Sequence, residues 1–81
     1  MMILSQDGKK IISTDNLNYI EIEETEKYYR DYIYIIAANF TNGQTQLGIY
    51  KTYERAKDIL EDMYKQLKIQ NFSFTYEMPK E

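Results

Sequence analysis

The residues best equipped for chemistry are four carboxylates close together, Glu21, Glu23, Glu24 and Glu26. Hard divalent cations need several converging oxygens, usually from a glycine-containing loop or a second carboxylate cluster. Here the carboxylates fall in an alternating segment, Asn18–Glu24, with Ile20 and Ile22 on one face and Tyr19, Glu21 and Glu23 on the other. On a strand, Glu21 and Glu23 stand about 6.6 Å apart along the chain, so one ion would need further ligands to bridge them. The expectation is that no metal and no cofactor is bound. Nucleophilic catalysis would fall to Ser5, Ser13, Ser73 or a threonine. With no histidine and no cysteine in the chain, the commonest general base and the thiolate nucleophile are both missing. Gly8, Gly43 and Gly48 are isolated, so no loop is built to cradle phosphate. The composition implies a non-enzymatic chain with no catalytic residue.

Charge and aromatic content point to binding instead. The net charge is −3 over 81 residues, and six acids lie between Asp15 and Asp31 against Lys27 and Arg30. The other cations, Lys9-Lys10, Lys51, Arg55, Lys57, Lys65, Lys68 and Lys80, are scattered. Affinity for nucleic-acid backbones needs a basic patch, so this distribution argues against nucleic acid. Nine tyrosines and no tryptophan suggest a surface of half-packed rings, a residue type favoured at protein interfaces. The candidate interface is Tyr19, Tyr32, Tyr34 and Tyr50 with Glu21 and Glu23.

Those residues must be positioned by a small number of elements. The run Tyr32–Phe40, YIYIIAANF, is apolar on both parities, as expected of a strand inside a sheet. Met2–Ser5 and Lys10–Ser13 read as short strands joined by an Asp7-Gly8 hairpin turn, and Thr14-Asp15-Asn16 reads as a second turn. Thr25–Lys27 reads as a loop before a central strand of about Tyr29–Phe40. Asn42-Gly43 predicts a type I′ hairpin, which needs positive φ at both central positions, followed by a strand over Gln44–Tyr50. Thr52 is a suitable N-cap for a helix whose stripe is Ala56, Ile59, Leu60, Met63, Tyr64 and Leu67. Phe72–Met78 alternates and ends at Pro79, which reads as a last strand.

The fold class is therefore α+β, with elements in the order β-β-β-β-β-α-β and one domain over residues 1–81. The expected architecture is a strongly bent antiparallel sheet of five to six strands with one amphipathic helix before the last strand. Such a roll is pleckstrin-homology-like, although that fold ends on its helix. The expected core is Ile33, Ile35, Ile36, Leu47, Ile49, Ile59, Leu60, Met63, Leu67, Phe72 and Phe74. The short apolar opening, Met1–Leu4, has neither the length nor the basic leader of a signal peptide, and no run approaches membrane-spanning length. The cytosol is the expected location.

Ser5–Lys9 (SQDGK), Asp15-Asn16, Leu47–Lys57 (LGIYKTYERAK) and Tyr76–Pro79 (YEMP) form a pattern across most of the chain. It resembles a family of small, uncharacterised proteins from low-GC Gram-positive bacteria, their mobile elements and their phages. The shared motifs are turns, a helix entry and a strand end. They imply a common fold and carry over no site residue. A mobile-element setting implies a small module that binds and inhibits a host protein such as a defence factor, or that self-associates, for instance as a homodimer. The alternatives are an oligomeric protein that sequesters a small ligand such as a nucleotide signal, and a non-catalytic enzyme subunit.

Overall fold

The computed structural model describes residues 2–28, 31–68 and 75–81. Side-chain period and turn chemistry set its elements. The chain runs β1 (Met2–Leu4), β2 (Ile11–Ser13), β3 (Leu17–Tyr28), β4 (Asp31–Phe40), β5 (Gly43–Tyr50), α1 (Tyr53–Lys68) and β6 (Thr75–Glu77). It is an α+β protein made mostly of strands. No helix among the described residues is long and apolar enough to cross a membrane.

The strands do not form one bent sheet. They form two three-stranded sheets, in the orders β2-β1-β6 and β3-β4-β5. The second is antiparallel throughout, whereas β6 joins β1 in parallel, with Ile3 opposite Tyr76. The split occurs at the turn after β2. Asn16 adopts a φ of 65°, the Leu17 N–H donates to the Thr14 carbonyl at 3.1 Å, and the redirected chain pairs β3 with β4 alone. The segment expected to be a loop, Thr25–Lys27, continues β3, because Thr25 and Glu26 pair with Ile33 and Tyr32. Pairing of β4 with β5 ends at Tyr34 and Tyr50, so the far end of the β3–β4 ribbon extends beyond the sheet.

Both expected hairpin turns differ in detail. Phe40 pairs with Gly43, which puts Thr41 and Asn42 at the centre of the turn, and neither Asn42 nor Gly43 has a positive φ. The type I′ assignment at Asn42-Gly43 is therefore replaced by a register that keeps Phe40 on the same face as Ile36 and Ala38. The β1–β2 connection is longer than Asp7-Gly8, since Leu4 pairs with Ile11. Within it Gly8 takes the left-handed conformation, φ 71°, and the Ser5 hydroxyl donates to the Asp7 carboxylate at 2.6 Å. That bond, with the Lys9 N–H donor, holds Asp7 below the usual carboxylate range.

The helix lies over one face of β3-β4-β5. The Arg55 N–H donates to Thr52 Oγ1 at 3.1 Å, the N-cap bond expected of threonine. A single core joins Ile3 of β1, Ile36 and Ala38 of β4, Leu47 and Tyr50 of β5, Ala56, Ile59 and Met63 of α1, and Tyr76 and Met78. Of the expected core, Ile36, Leu47, Ile59 and Met63 are buried. Ile33, Ile35 and Leu60 are only half-buried, and Ile49 is 39 % exposed. The first two and Ile49 sit on the parity that faces away from the helix. The side chains of Leu67, Phe72 and Phe74 lie outside the described set. Ile3, Ala56, Tyr50, Tyr76 and Met78 take the places that remain.

Gly48 matters for space. A Cβ there would stand 2.8 Å from the Tyr50 hydroxyl, because the Tyr50 ring lies back over Gly48 and is held there by burial. Gly48→Ala is therefore expected to destabilise the protein by about 1–3 kcal/mol, through overpacking. Met63→Ala should cost about 2–5 kcal/mol, while the half-buried Leu60→Ala should cost less. Chemical denaturation of the three variants checks this order.

Candidate functional site

Alternation distributes the six candidate residues over two faces. Tyr19, Glu21 and Glu23 pair with Asn39, Ala37 and Ile35, on the face turned away from the helix. Tyr32, Tyr34 and Tyr50 belong to the opposite parity, beneath or beside α1. Tyr50 is 2 % exposed, and its hydroxyl donates to the Pro79 carbonyl at 2.8 Å. Tyr34 meets the Tyr53 ring edge-on at 6.0 Å. Tyr32 is 43 % exposed, near the end of the ribbon. The four tyrosines thus form no common patch, because two of them serve the helix side of the core. Tyr19 with Glu21 and Glu23 remains as a cluster.

That cluster belongs to an open apolar face. The half-buried Ile33 and Ile35 of β4 and the exposed Ile49 of β5 share it, whereas Ala37 on the same parity is buried, and no described helix or strand packs on this face. At its end near the Thr41–Asn42 turn, the Gln44 amide donates to Glu23 at 2.6 Å, to Asn39 Oδ1 at 2.9 Å and to Glu21 at 3.4 Å. One neutral side chain therefore holds two carboxylates side by side. Among the described residues, no three carboxylates gather closely enough to hold a metal ion.

A groove of about 470 Å³ lies on the other side of β3, between Leu17–Ile20 and the helix residues Lys57, Leu60, Glu61, Met63 and Tyr64. Its walls are mainly apolar, with Met63 buried and Tyr64 60 % exposed at the rim. Lys68 sits 4.7 Å above the Tyr64 ring and orients it. The sequence reading missed this groove. Leu60 and Tyr64 were legible as helix-stripe residues, but their exposure depends on how far α1 reaches across β3.

Strand edges complete the geometry. On β5, the Gln6 side chain acts as a peptide unit. It accepts from the Ile49 N–H at 2.8 Å and donates to the Ile49 carbonyl at 2.9 Å. The Gln6 N–H also donates to the Leu47 carbonyl at 2.9 Å. The β5 edge is therefore occupied at Leu47–Ile49. No described strand pairs with the outer edge of β3. Antiparallel residues alternate between facing their neighbour and facing outward. Ile49 faces outward from β4, so its partner Ile35 directs its peptide groups to β3, and Glu23 directs its own toward β4. Ile20, Ile22 and Glu24 consequently turn their N–H and C=O groups to the open side.

Compared with protein-family models, curated proteins and solved structures, the chain matches none.

The buried tyrosines dictate a pH response. Burial pushes the Tyr50 phenol up to about 12. Tyr76 is pushed up as well, by burial and by its hydrogen bond to Asp62 at 3.0 Å. An unfolded tyrosine titrates near 10, so the fold favours the neutral phenols. Their contribution is fully present below about pH 10 and is lost as pH rises through the folded values. Thermal melts of wild type are expected to fall steeply between pH 10 and about 12. Tyr50→Phe should fall less steeply over the same window.

Proposed function

We propose that this chain is a non-enzymatic protein-binding module that docks through the β3-β4-β5 sheet. The observation that carries the reading is the open face, where Tyr19, Ile33, Ile35 and Ile49 lie beside Glu21 and Glu23. An antiparallel sheet with one wet face normally shows polar residues on that face. The exposed Ile49 and the half-buried Ile33 and Ile35, beside two carboxylates, instead form a mixed surface like that of a non-obligate protein interface. The polar groups on the helix side have structural duties: Tyr50 holds the C-terminal segment and Tyr76 holds the helix. The apolar lining of the β3–α1 groove, with Lys57 the one cation among its described lining residues, does not favour a phosphate-bearing ligand.

The resemblance to small proteins of mobile elements and phages gives this reading its setting. In that setting the partner is a host protein, for example a defence factor that the module inhibits, and the work is done in the cytosol. Glu21 and Glu23 direct the face toward a basic partner surface.

The protein should sediment as a monomer at micromolar concentration. Expressed with an affinity tag in a low-GC Gram-positive host, it should retain a host protein. Ile49→Glu alters an exposed side chain and leaves the Gln6 bonds to the Ile49 backbone in place. It should melt within a few degrees of wild type, since surface changes are usually within about 0.5 kcal/mol, and should lose the retained protein. A stable dimer, or retention unchanged by Ile49→Glu, would overturn the reading.

A further inference from the structure

We infer that the outer edge of β3 takes an extended basic peptide as a fourth strand, with the peptide's apolar side chains entering the β3–α1 groove. This inference rests on the binding-module reading above and names a second surface with its own partner chemistry. Three features converge on it. The outward peptide groups of Ile20, Ile22 and Glu24 offer a ready ladder, and strand addition to such an edge is a common mode of peptide recognition. The same residues carry their side chains on the helix side, so a peptide residue opposite Ile20 is aimed at the groove lined by Leu17, Leu60 and Tyr64. Charge then selects the occupant.

β3 carries Glu21, Glu23, Glu24 and Glu26 against Lys27. A second copy pairing antiparallel about Ile22 would put Glu21 opposite the partner's Glu23, and like charges directly opposite destabilise a pair. A peptide that alternates Leu or Ile with Lys or Arg meets the opposite condition. Its apolar residues face the groove, and its cations fall opposite Glu21 and Glu23 on the other face. The Gln44 amide already holds those two carboxylates together, which places two acceptors where alternate basic residues arrive.

The test is a titration of the full chain with a short synthetic Leu-Lys alternating peptide, read by fluorescence anisotropy. Saturable binding that weakens with salt is expected. Methylating the peptide nitrogens that would donate to β3 should weaken binding about tenfold or more, since each lost hydrogen bond to an otherwise unpaired carbonyl costs about a factor of ten. Glu24→Pro changes an exposed residue and removes only an outward N–H, a position where edge strands accept proline. It should weaken binding to a similar degree with its far-ultraviolet circular dichroism unchanged.

Glu21→Lys with Glu23→Lys should reverse the preference, releasing the Leu-Lys peptide and binding a Leu-Glu peptide. Binding indifferent to N-methylation would reduce the contact to charge alone and overturn strand addition. A β3-mediated dimer abolished by Glu24→Pro would give the edge to a second copy and overturn the basic-peptide assignment. Loss of peptide binding in Glu24→Pro leaves the Ile49 face untouched, so retention of a host protein by that variant separates failure of this inference from failure of the binding-module reading.

Discussion

Gln6 is the interaction on which the arrangement of the two sheets depends. Its side-chain amide pairs with both peptide groups of Ile49, and its Nε2 also donates to the Lys80 carbonyl at 2.9 Å. The Lys80 ammonium returns a bond to the Gln6 carbonyl at 3.1 Å. A loop between two three-residue strands has little burial of its own to hold it. Here it is fixed because it completes the ladder of β5 and clasps the C-terminal segment in the same step. Buried or edge peptide groups need partners, and Gln6 supplies them without a seventh strand. The price is that β1-β2-β6 can only continue the β5 side of the sheet, which leaves β3 as the long edge without a described neighbour.

Tyrosine gives so small a core its reach. A domain of this size buries only about two-thirds of its unfolded surface, and the chain has no disulfide to assist. Tyr50 and Tyr76 each fill core volume with an aromatic ring and use the hydroxyl as a tether, one to Pro79 and one to Asp62. Both tethers act on the chain after the helix. They explain how a three-residue strand, β6, can hold its place beside β1. Gly48 belongs to the same device, since the Tyr50 ring needs the space that a Cβ would occupy.

The parts of the fold that depend on local pattern were legible in the sequence. The helix, its Thr52 cap, the turn at Asn16 and the parity of β3 and β4 each follow from spacing or from a residue's own backbone preference. What the sequence did not disclose depends on which strands become neighbours. The YIYIIAANF run showed that both faces of β4 are apolar, yet periodicity cannot say which face receives the helix. Ile49 was therefore expected inside and lies outside, while Tyr50, expected at an interface, lies inside. The same ignorance of strand order hid the β3 edge and the groove. Glu21 and Glu23 were recognised as sharing a face, but the role of Gln44 rests on a long-range pairing that no short motif records.

The acids of β3 act in two ways at once. A long open edge invites pairing with other chains, and charged residues along it are a common protection. On β3 the glutamates stand on both faces, Glu21 and Glu23 on one and Glu24 and Glu26 on the other. Self-pairing and pairing with acidic or neutral strands are thereby disfavoured, whichever side a neighbour tries to bury. Repulsion of that kind is selective, because it vanishes for a strand with positive charge at alternate positions. The isoleucines at 20 and 22 would be a liability on an edge guarded only for solubility, since they continue the helix-side apolar surface up to the open backbone groups. Placed beside the groove, they provide the apolar half of a recognition pattern whose charged half is Glu21 and Glu23. The protection of the edge and its specificity are then one property, set by the same alternation that formed the strand.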